Sequence, residues 1–272
     1  MTTDAARRWA SMLDAWAIPD DVLARAPEPP WGFPVGLFER HAEHALARPT
    51  RSHERALEAL PEGGTVLDVG SGAGAASLPL AHRAGRIVAM DDSRAMLDAF
   101  AERAGALGVA HHELEGRWPD DAGRAPEVDV VVCAHLVYNV PAIDELTRAL
   151  TRRARARVVV EMTETHPLTR TRALWRHFHG LERPTGPSVD DYVAVVRAAG
   201  IEPRVERWTG EPEWAGAPRS ELVAFLRRRL CLPAARDPEI ERLVDAGAYS
   251  LERPCATLWW DTARLAGRLD LD

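Results

Sequence analysis

The chain has 272 residues, 46% of them hydrophobic and 28% charged, and a formal net charge of −7. These are globular proportions, which set aside a disordered chain, collagen and a coiled coil. All 34 basic residues are arginine, so lysine Schiff bases, lysine-anchored pyridoxal phosphate and a P-loop lysine are excluded as well.

The acidic balance argues against a polyanionic partner such as nucleic acid. No apolar run approaches the roughly 18 residues that cross a bilayer. The opening MTTDAARRWASMLDAW lacks the apolar core of a signal peptide. Cys133, Cys231 and Cys255 are far apart and odd in number, which suits a reducing compartment; a soluble cytoplasmic protein is expected.

In chain order, residues 1–60 read as a helical cap. Trp9, Met12, Leu13 and Trp16 recur at helical spacing. Four prolines between Pro27 and Pro34 break regular structure, a second stripe runs from Leu37 to Ala45, and Ser52 is placed to cap a third helix ending near Leu60. From residue 61 to 272 strand alternates with helix. TVLDVG (65–70), RIVAM (86–90), VAHHEL (109–114), VDVVVCA (128–134) and RVVVEM (157–162) read as buried parallel strands, separated by helices over 74–84, 94–107 and 142–154. A helix is expected from Pro167 to His179. Another is capped by Ser188, with Asp191 three residues on, and stopped by Gly200. Strands at 201–208 and 255–262 close the pattern, with a helical insertion at about 211–253 between them that reads as a lid.

The chemistry is concentrated in LDVGSGAGAASLPLA (67–81). A strand ends at Val69, and Gly70, Gly72 and Gly74 alternate with Ser71 and Ala73, a turn whose backbone N–H groups can approach a ligand closely. Asp91 ends the next strand and can accept from two vicinal ribose hydroxyls. The same string satisfies the dinucleotide fingerprint, so an oxidoreductase is an alternative. Asp68, two residues before Gly70, would attract an ammonium and repel a pyrophosphate.

The acid-first LDVGSGAG followed by VAMDDSRAML resembles the first two motifs of the class I S-adenosylmethionine-dependent methyltransferases. That resemblance implies a Rossmann-like α/β fold with a seven-stranded, mostly parallel sheet ordered 3-2-1-4-5-7-6, and S-adenosyl-L-methionine as cofactor. It implies that Asp68, Gly70, Ser71 and Gly72 border the methionine moiety, that Asp91 holds the ribose, and that Asp92 lies beside the adenine. Where the family often carries a Gly-Asp-Ala-like segment, this chain has Gly116-Arg117-Trp118; Arg117 and Trp118 then flank the base, with Trp118 either stacking on it or buried structurally. The wall beside the methyl group would be Cys133-Ala134-His135-Leu136-Val137-Tyr138, with Ala134 against the cofactor.

Methyl transfer needs alignment more than a catalytic side chain. His135 is the candidate base if the acceptor arrives protonated, and Tyr138 the candidate for orienting it. Arg51 reads either as a ligand of the methionine carboxylate or as a solvated arginine, and His166 and His177 are placed to border the pocket. His41 and His44 share a helix face but lack a third partner, so no metal is expected. The tetrad of amino-directed nucleic-acid methyltransferases is absent. Trp9, Trp16, Trp31, Trp175, Trp208 and Trp214 fall in segments that would roof the crevice over a small apolar acceptor. A cofactor-binding regulatory protein without transferase activity, and a nucleic-acid or protein methyltransferase, are the competing readings. A homo-oligomer is compatible with all of them.

Overall fold

The short β-branched runs pair into one sheet because covering both faces with helices buries its central strands almost completely, while the edge strands stay partly exposed. In the computed structural model, residues 2–32 and 34–262 are described; the end of the expected main domain, 263–272, lies outside them. The strands are β1 (Gly64–Val69), β2 (Ala84–Asp91), β3 (Ala110–Glu115), β4 (Val128–Ala134), β5 (Ala154–Thr163), β6 (Arg204–Gly210) and β7 (Arg253–Asp261). Their order is β3-β2-β1-β4-β5-β7-β6, with β7 antiparallel to β5 and β6, as expected.

The helices are α1 (Asp4–Asp14), α2 (Asp20–Leu23), α3 (Val35–Ala47), α4 (Arg51–Ala59), α5 (Arg94–Ala106), α6 (Ile143–Arg153), α7 (Arg172–His179), α8 (Val189–Ala198), α9 (Arg219–Arg229) and α10 (Asp237–Asp245). Alternation along the strands divides the core. Leu67, Val131 and Val158 pack toward α1, α6 and α8, whereas Val66, Val130 and Val159 pack toward α4 and α5. Register pairs Val69 with Met90 and Ala134 with Glu161, so the carboxyl ends of β1, β2, β4 and β5 open on one edge.

The first sixty residues serve three different places. Trp9 of α1 is fully buried in the main core, its indole N–H donating to the Val140 carbonyl at 3.2 Å. Val22 of α2 and Leu37 of α3 join a second apolar core with Trp175, Trp214, Leu222, Leu226 and Ile240. Helix α4 lies on the sheet, capped at Thr50 and not at Ser52; Ser52 instead meets the Thr257 hydroxyl at 2.7 Å.

Two expected helices are different. Only a 3-10 turn at Leu78–Leu80 replaces the helix expected over 74–84. Gly74 has φ +94°, and a side chain there would strike Leu78 and Phe100. Pro79 has no N–H to give the Ala75 carbonyl; that carbonyl accepts from His53 Nε2 at 2.9 Å. The helix expected from Pro167 begins as a 3-10 turn at Pro167–Thr171 and becomes α-helical only in α7.

Candidate cofactor and acceptor site

The turn after β1 is held from below by β2. Gly70 and Ser71 N–H groups both donate to the Met90 carbonyl, at 2.8 and 3.1 Å. Gly72 N–H donates to Asp91 Oδ2 at 2.9 Å, and Ser93 N–H to Asp91 Oδ1 at 3.0 Å. Gly72 has φ +50°, and a Cβ there would stand 3.0 Å from the Phe38 ring of α3, so the turn is roofed closely by that helix. Burial pushes the Asp91 carboxyl up from its ordinary value. Two of its roughly four acceptor positions hold backbone, and two are left for hydroxyl donors.

Asp68 is fully buried. Ser77 Oγ donates to its Oδ2 at 2.5 Å, but Oδ1 has no partner among the described residues. Desolvation, with a smaller contribution from the Asp91 charge, pushes this carboxyl up to about 7. An unmatched buried acceptor of that kind calls for a cationic donor. A pyrophosphate would find the opposite: a carboxylate below the turn, and no α-helix N-terminus where the helix over 74–84 was expected. The oxidoreductase reading loses its anion site. The residues fit an amino-acid-bearing nucleoside, with ammonium at Asp68 and ribose at Asp91.

Other residues expected at the base are placed differently. Asp92 and Arg117 are exposed and pair with each other at 3.2 Å, an interaction worth little in water. Trp118 is 5% exposed and packs in the main core with Ala122 and Ala125. Its indole is a structural part of that core, not a free stacking surface.

At the carboxyl end of β4 lies an open cavity. Ala134 and His135 form one wall; Val132, Val159, Ala75 and Trp208 make apolar surface around it. His135 has φ +56°, a left-handed conformation uncommon outside glycine and found at functional sites. Its N–H donates to the Glu161 carbonyl at 2.8 Å. Its Nε2 stands 3.0 Å from Glu161 Oε1 and 2.5 Å from Arg253 Nη2. One ring nitrogen cannot accept from the guanidinium and donate to the carboxylate at the same time. Burial first, then the Arg253 charge, hold His135 below its ordinary value. Glu161 is held well below the carboxylate range: hydrogen bonding and charge from His135 and the Arg253 charge outweigh the cost of its burial. Thr50 Oγ donates to its Oε2 at 3.0 Å.

Sequence reasoning reached His135 and Ala134, read Glu161 by default as a polar group at a strand end beside the pocket, and missed Arg253, Thr50 and His53. Tyr138 is corrected: it is 7% exposed, its hydroxyl lies 2.6 Å from Thr163 Oγ, and it is not in the cavity wall. Arg51 pairs with Glu54 and Glu206 outside the cavity, and His177 pairs with Glu239. His166 stacks on Trp16 at 4.5 Å. Of the six tryptophans expected in the roof, Trp208 lines the cavity; Trp175 and Trp214 build the core behind it, Trp9 and Trp16 are buried elsewhere, and Trp31 is exposed.

Residues 66–157 match a family described as "Methyltransferase domain". An uncharacterized protein of Haemophilus influenzae is 29% identical over 129 residues, 46% of this chain and 48% of that protein, so the match spans about half of that relative's length. A SAM-dependent methyltransferase from Thiobacillus denitrificans, solved with S-adenosyl-L-homocysteine, superposes with a TM-score of 0.54 at 18% identity over 84% of this chain and 98% of its own. A cyclopropane-fatty-acyl-phospholipid synthase-like protein from Lactobacillus casei gives 0.54 at 18% identity over 93% and 99%. These two likenesses show the shared fold. The match places a methyltransferase domain at residues 66–157, within a sheet whose order is the one expected for the class I S-adenosyl-L-methionine-dependent methyltransferases.

Proposed function

We propose that the protein transfers a methyl group from S-adenosyl-L-methionine to a small-molecule acceptor seated in the cavity at the end of β4. The observation that carries this reading is the open cavity itself, walled by Ala134 and His135 and by Ala75, which follows the glycine turn. The cofactor supplies an electrophilic methyl on a sulfonium. Asp68 takes the ammonium, the turn from Gly70 to Gly72 borders the methionine chain, and Asp91 takes the ribose hydroxyls. Alignment of the acceptor against the methyl supplies most of the acceleration.

His135 is the base for an acceptor that arrives protonated. The ring is neutral at neutral pH because burial and Arg253 lower its affinity for protons. Once protonated, its Nε2–H donates to Glu161 Oε1, 3.0 Å away; the carboxylate orients the ring and offsets its charge. In this reading residues 61–262 form the transfer domain, while parts of residues 1–60 and of the 211–253 insertion close the acceptor side: His41, Arg48, Glu211 and Pro212 come from those segments.

Calorimetric titration with S-adenosyl-L-homocysteine tests the cofactor half. Mass spectrometry of acceptor panels with labelled cofactor tests the transfer half. Absence of binding by folded protein sinks the reading. Binding with no methylated product from any panel leaves a cofactor-binding regulator as the better account.

A further inference from the structure

The cavity wall holds one cation without a matching anion. Arg253 opens β7, directly after the insertion, and lines the cavity. Among the described residues, the one hydrogen-bonding partner of its side chain is His135 Nε2, at 2.5 Å, and no carboxylate lies within ion-pair distance of it. Arg48, on the same wall, is paired with Glu211, and Arg170 nearby is paired with Glu213. A guanidinium offers five N–H donors, so His135 leaves most of them unanswered. None of the Arg253 nitrogens is a buried atom lacking a partner, so those donors reach the cavity. When His135 Nε2 turns its proton to Glu161, even that one acceptor is withdrawn.

We infer that Arg253 receives a carboxylate of the acceptor, so that the substrate class is a small, largely apolar carboxylic acid. This inference rests on the proposed transfer reaction. The planar fork of a guanidinium matches a carboxylate with two parallel hydrogen bonds. The neighbourhood selects for a single negative charge. Glu161 and Glu213 both feel Arg253 and are held below their ordinary values partly by it. A dianionic phosphate would face both carboxylates with one uncommitted cation between them. The remaining surface, Val132, Val159, Ala75, Ala76 and the Trp208 ring, suits an apolar body. His135, touching Arg253, then stands beside the bound end of the acceptor.

A carboxylate at Arg253 has a second source, the methionine end of the cofactor, and the test separates the two. Protein saturated with S-adenosyl-L-homocysteine is titrated with benzoate and with its uncharged analogue benzamide, in wild type, Arg253→Gln and Arg253→Lys. The expected result is a preference for benzoate of about tenfold in wild type, lost in Arg253→Gln and partly kept in Arg253→Lys, with benzamide binding unchanged throughout as the check on folding. Affinity for S-adenosyl-L-homocysteine stays within about twofold in all three. A wild type without benzoate preference, or an Arg253→Gln variant that keeps it, overturns the inference. A loss of S-adenosyl-L-homocysteine affinity in Arg253→Gln, with the melting temperature unchanged, also overturns it by assigning Arg253 to the cofactor. Failure of wild type to bind S-adenosyl-L-homocysteine brings down the transfer reading itself, a different outcome from losing benzoate alone.

Discussion

Asp68, fully buried, and Glu161, mostly buried at the cavity wall, are both carboxyls at the open edge of the sheet, yet their environments push them in opposite directions. Asp68 has one hydroxyl donor and an oxygen with no partner, and it rises to about 7. Glu161 has the Thr50 hydroxyl, the His135 ring and the field of Arg253, and it falls below the carboxylate range. Burial penalises the charged form in each case; partners decide the result. Glu161 is completed by the protein. Asp68 is left incomplete, which is what a binding site for a cationic group requires, and in the proposed reading that difference separates a residue that serves the cavity wall from one that serves the cofactor.

The sharpest way to break this comparison is Asp68→Asn. The amide can still accept from Ser77 but cannot pair with an ammonium as a charge, so affinity for S-adenosyl-L-homocysteine should drop about a hundredfold, the value of a charge-assisted hydrogen bond near 2.7 kcal/mol. The empty protein should become more stable. Because the folded value of about 7 lies above the ordinary 3.8, Asp68 favours the folded state at low pH and loses that advantage as pH rises toward 7. The gain from Asp68→Asn should therefore be near zero at about pH 4 and approach an upper bound of ~4 kcal/mol above pH 7, read by thermal melts across pH. A variant that keeps cofactor affinity would remove Asp68 from the site.

Glu161→Gln should act with the opposite sign. Its folded value is depressed, so its contribution is present above the ordinary carboxylate range and lost as pH falls through the folded value. The variant should melt about 2 kcal/mol weaker at pH 7, with the deficit shrinking in acid. The His135 ring, without its carboxylate, should protonate at still lower pH, which nitrogen-15 imidazole spectra would report. A Glu161→Gln protein as stable as wild type at neutral pH would mean that the buried cluster is not coupled.

These two halves of the site also differ in how far the sequence exposed them. Asp68, the glycine turn and Asp91 lie within 24 residues of chain, and the cofactor role proposed for them follows from strand-turn-strand geometry, which is local. The acceptor wall is assembled from β4, β5, β7 and α4; Arg253 meets His135 across 118 residues, and nothing around Glu-Arg-Pro-Cys marks an arginine for that role. Tyr138 was placed by its segment to orient the acceptor, but Thr163 occupies its hydroxyl. The missing helix at 74–84 was written in Gly74 and Pro79, whose combined effect outweighs the apolar pattern of Leu78 and Leu80. The Trp residues of the roof were placed by segment, and only tertiary packing decides which of them face a cavity.

Asp91→Ala should weaken S-adenosyl-L-homocysteine binding about tenfold, less than Asp68→Asn, because neutral ribose hydroxyls replace a charged partner. It should also cost about 1 kcal/mol of stability, since Gly72 and Ser93 N–H groups lose their acceptor. Binding loss without a change in melting temperature would assign Asp91 to the ligand alone and show that the turn holds itself.

The smallest expected effect tests whether the two regions share a hinge. Thr50 caps α4, its N–H donates to His53 Nδ1 at 2.7 Å, and its hydroxyl reaches Glu161. His53 Nε2 then donates to the Ala75 carbonyl, just beyond the glycine turn. Thr50→Ala should cost about 1 kcal/mol, while Thr50→Ser, which keeps the hydroxyl, should stay within a few tenths. If His53 carries the connection, Thr50→Ala should also lower cofactor affinity slightly although it touches no cofactor-binding residue, and Thr50→Ser should restore it. Loss of stability with unchanged affinity would show that α4 supports the acceptor wall while the turn after β1 keeps its shape through the Met90 carbonyl and Asp91 alone.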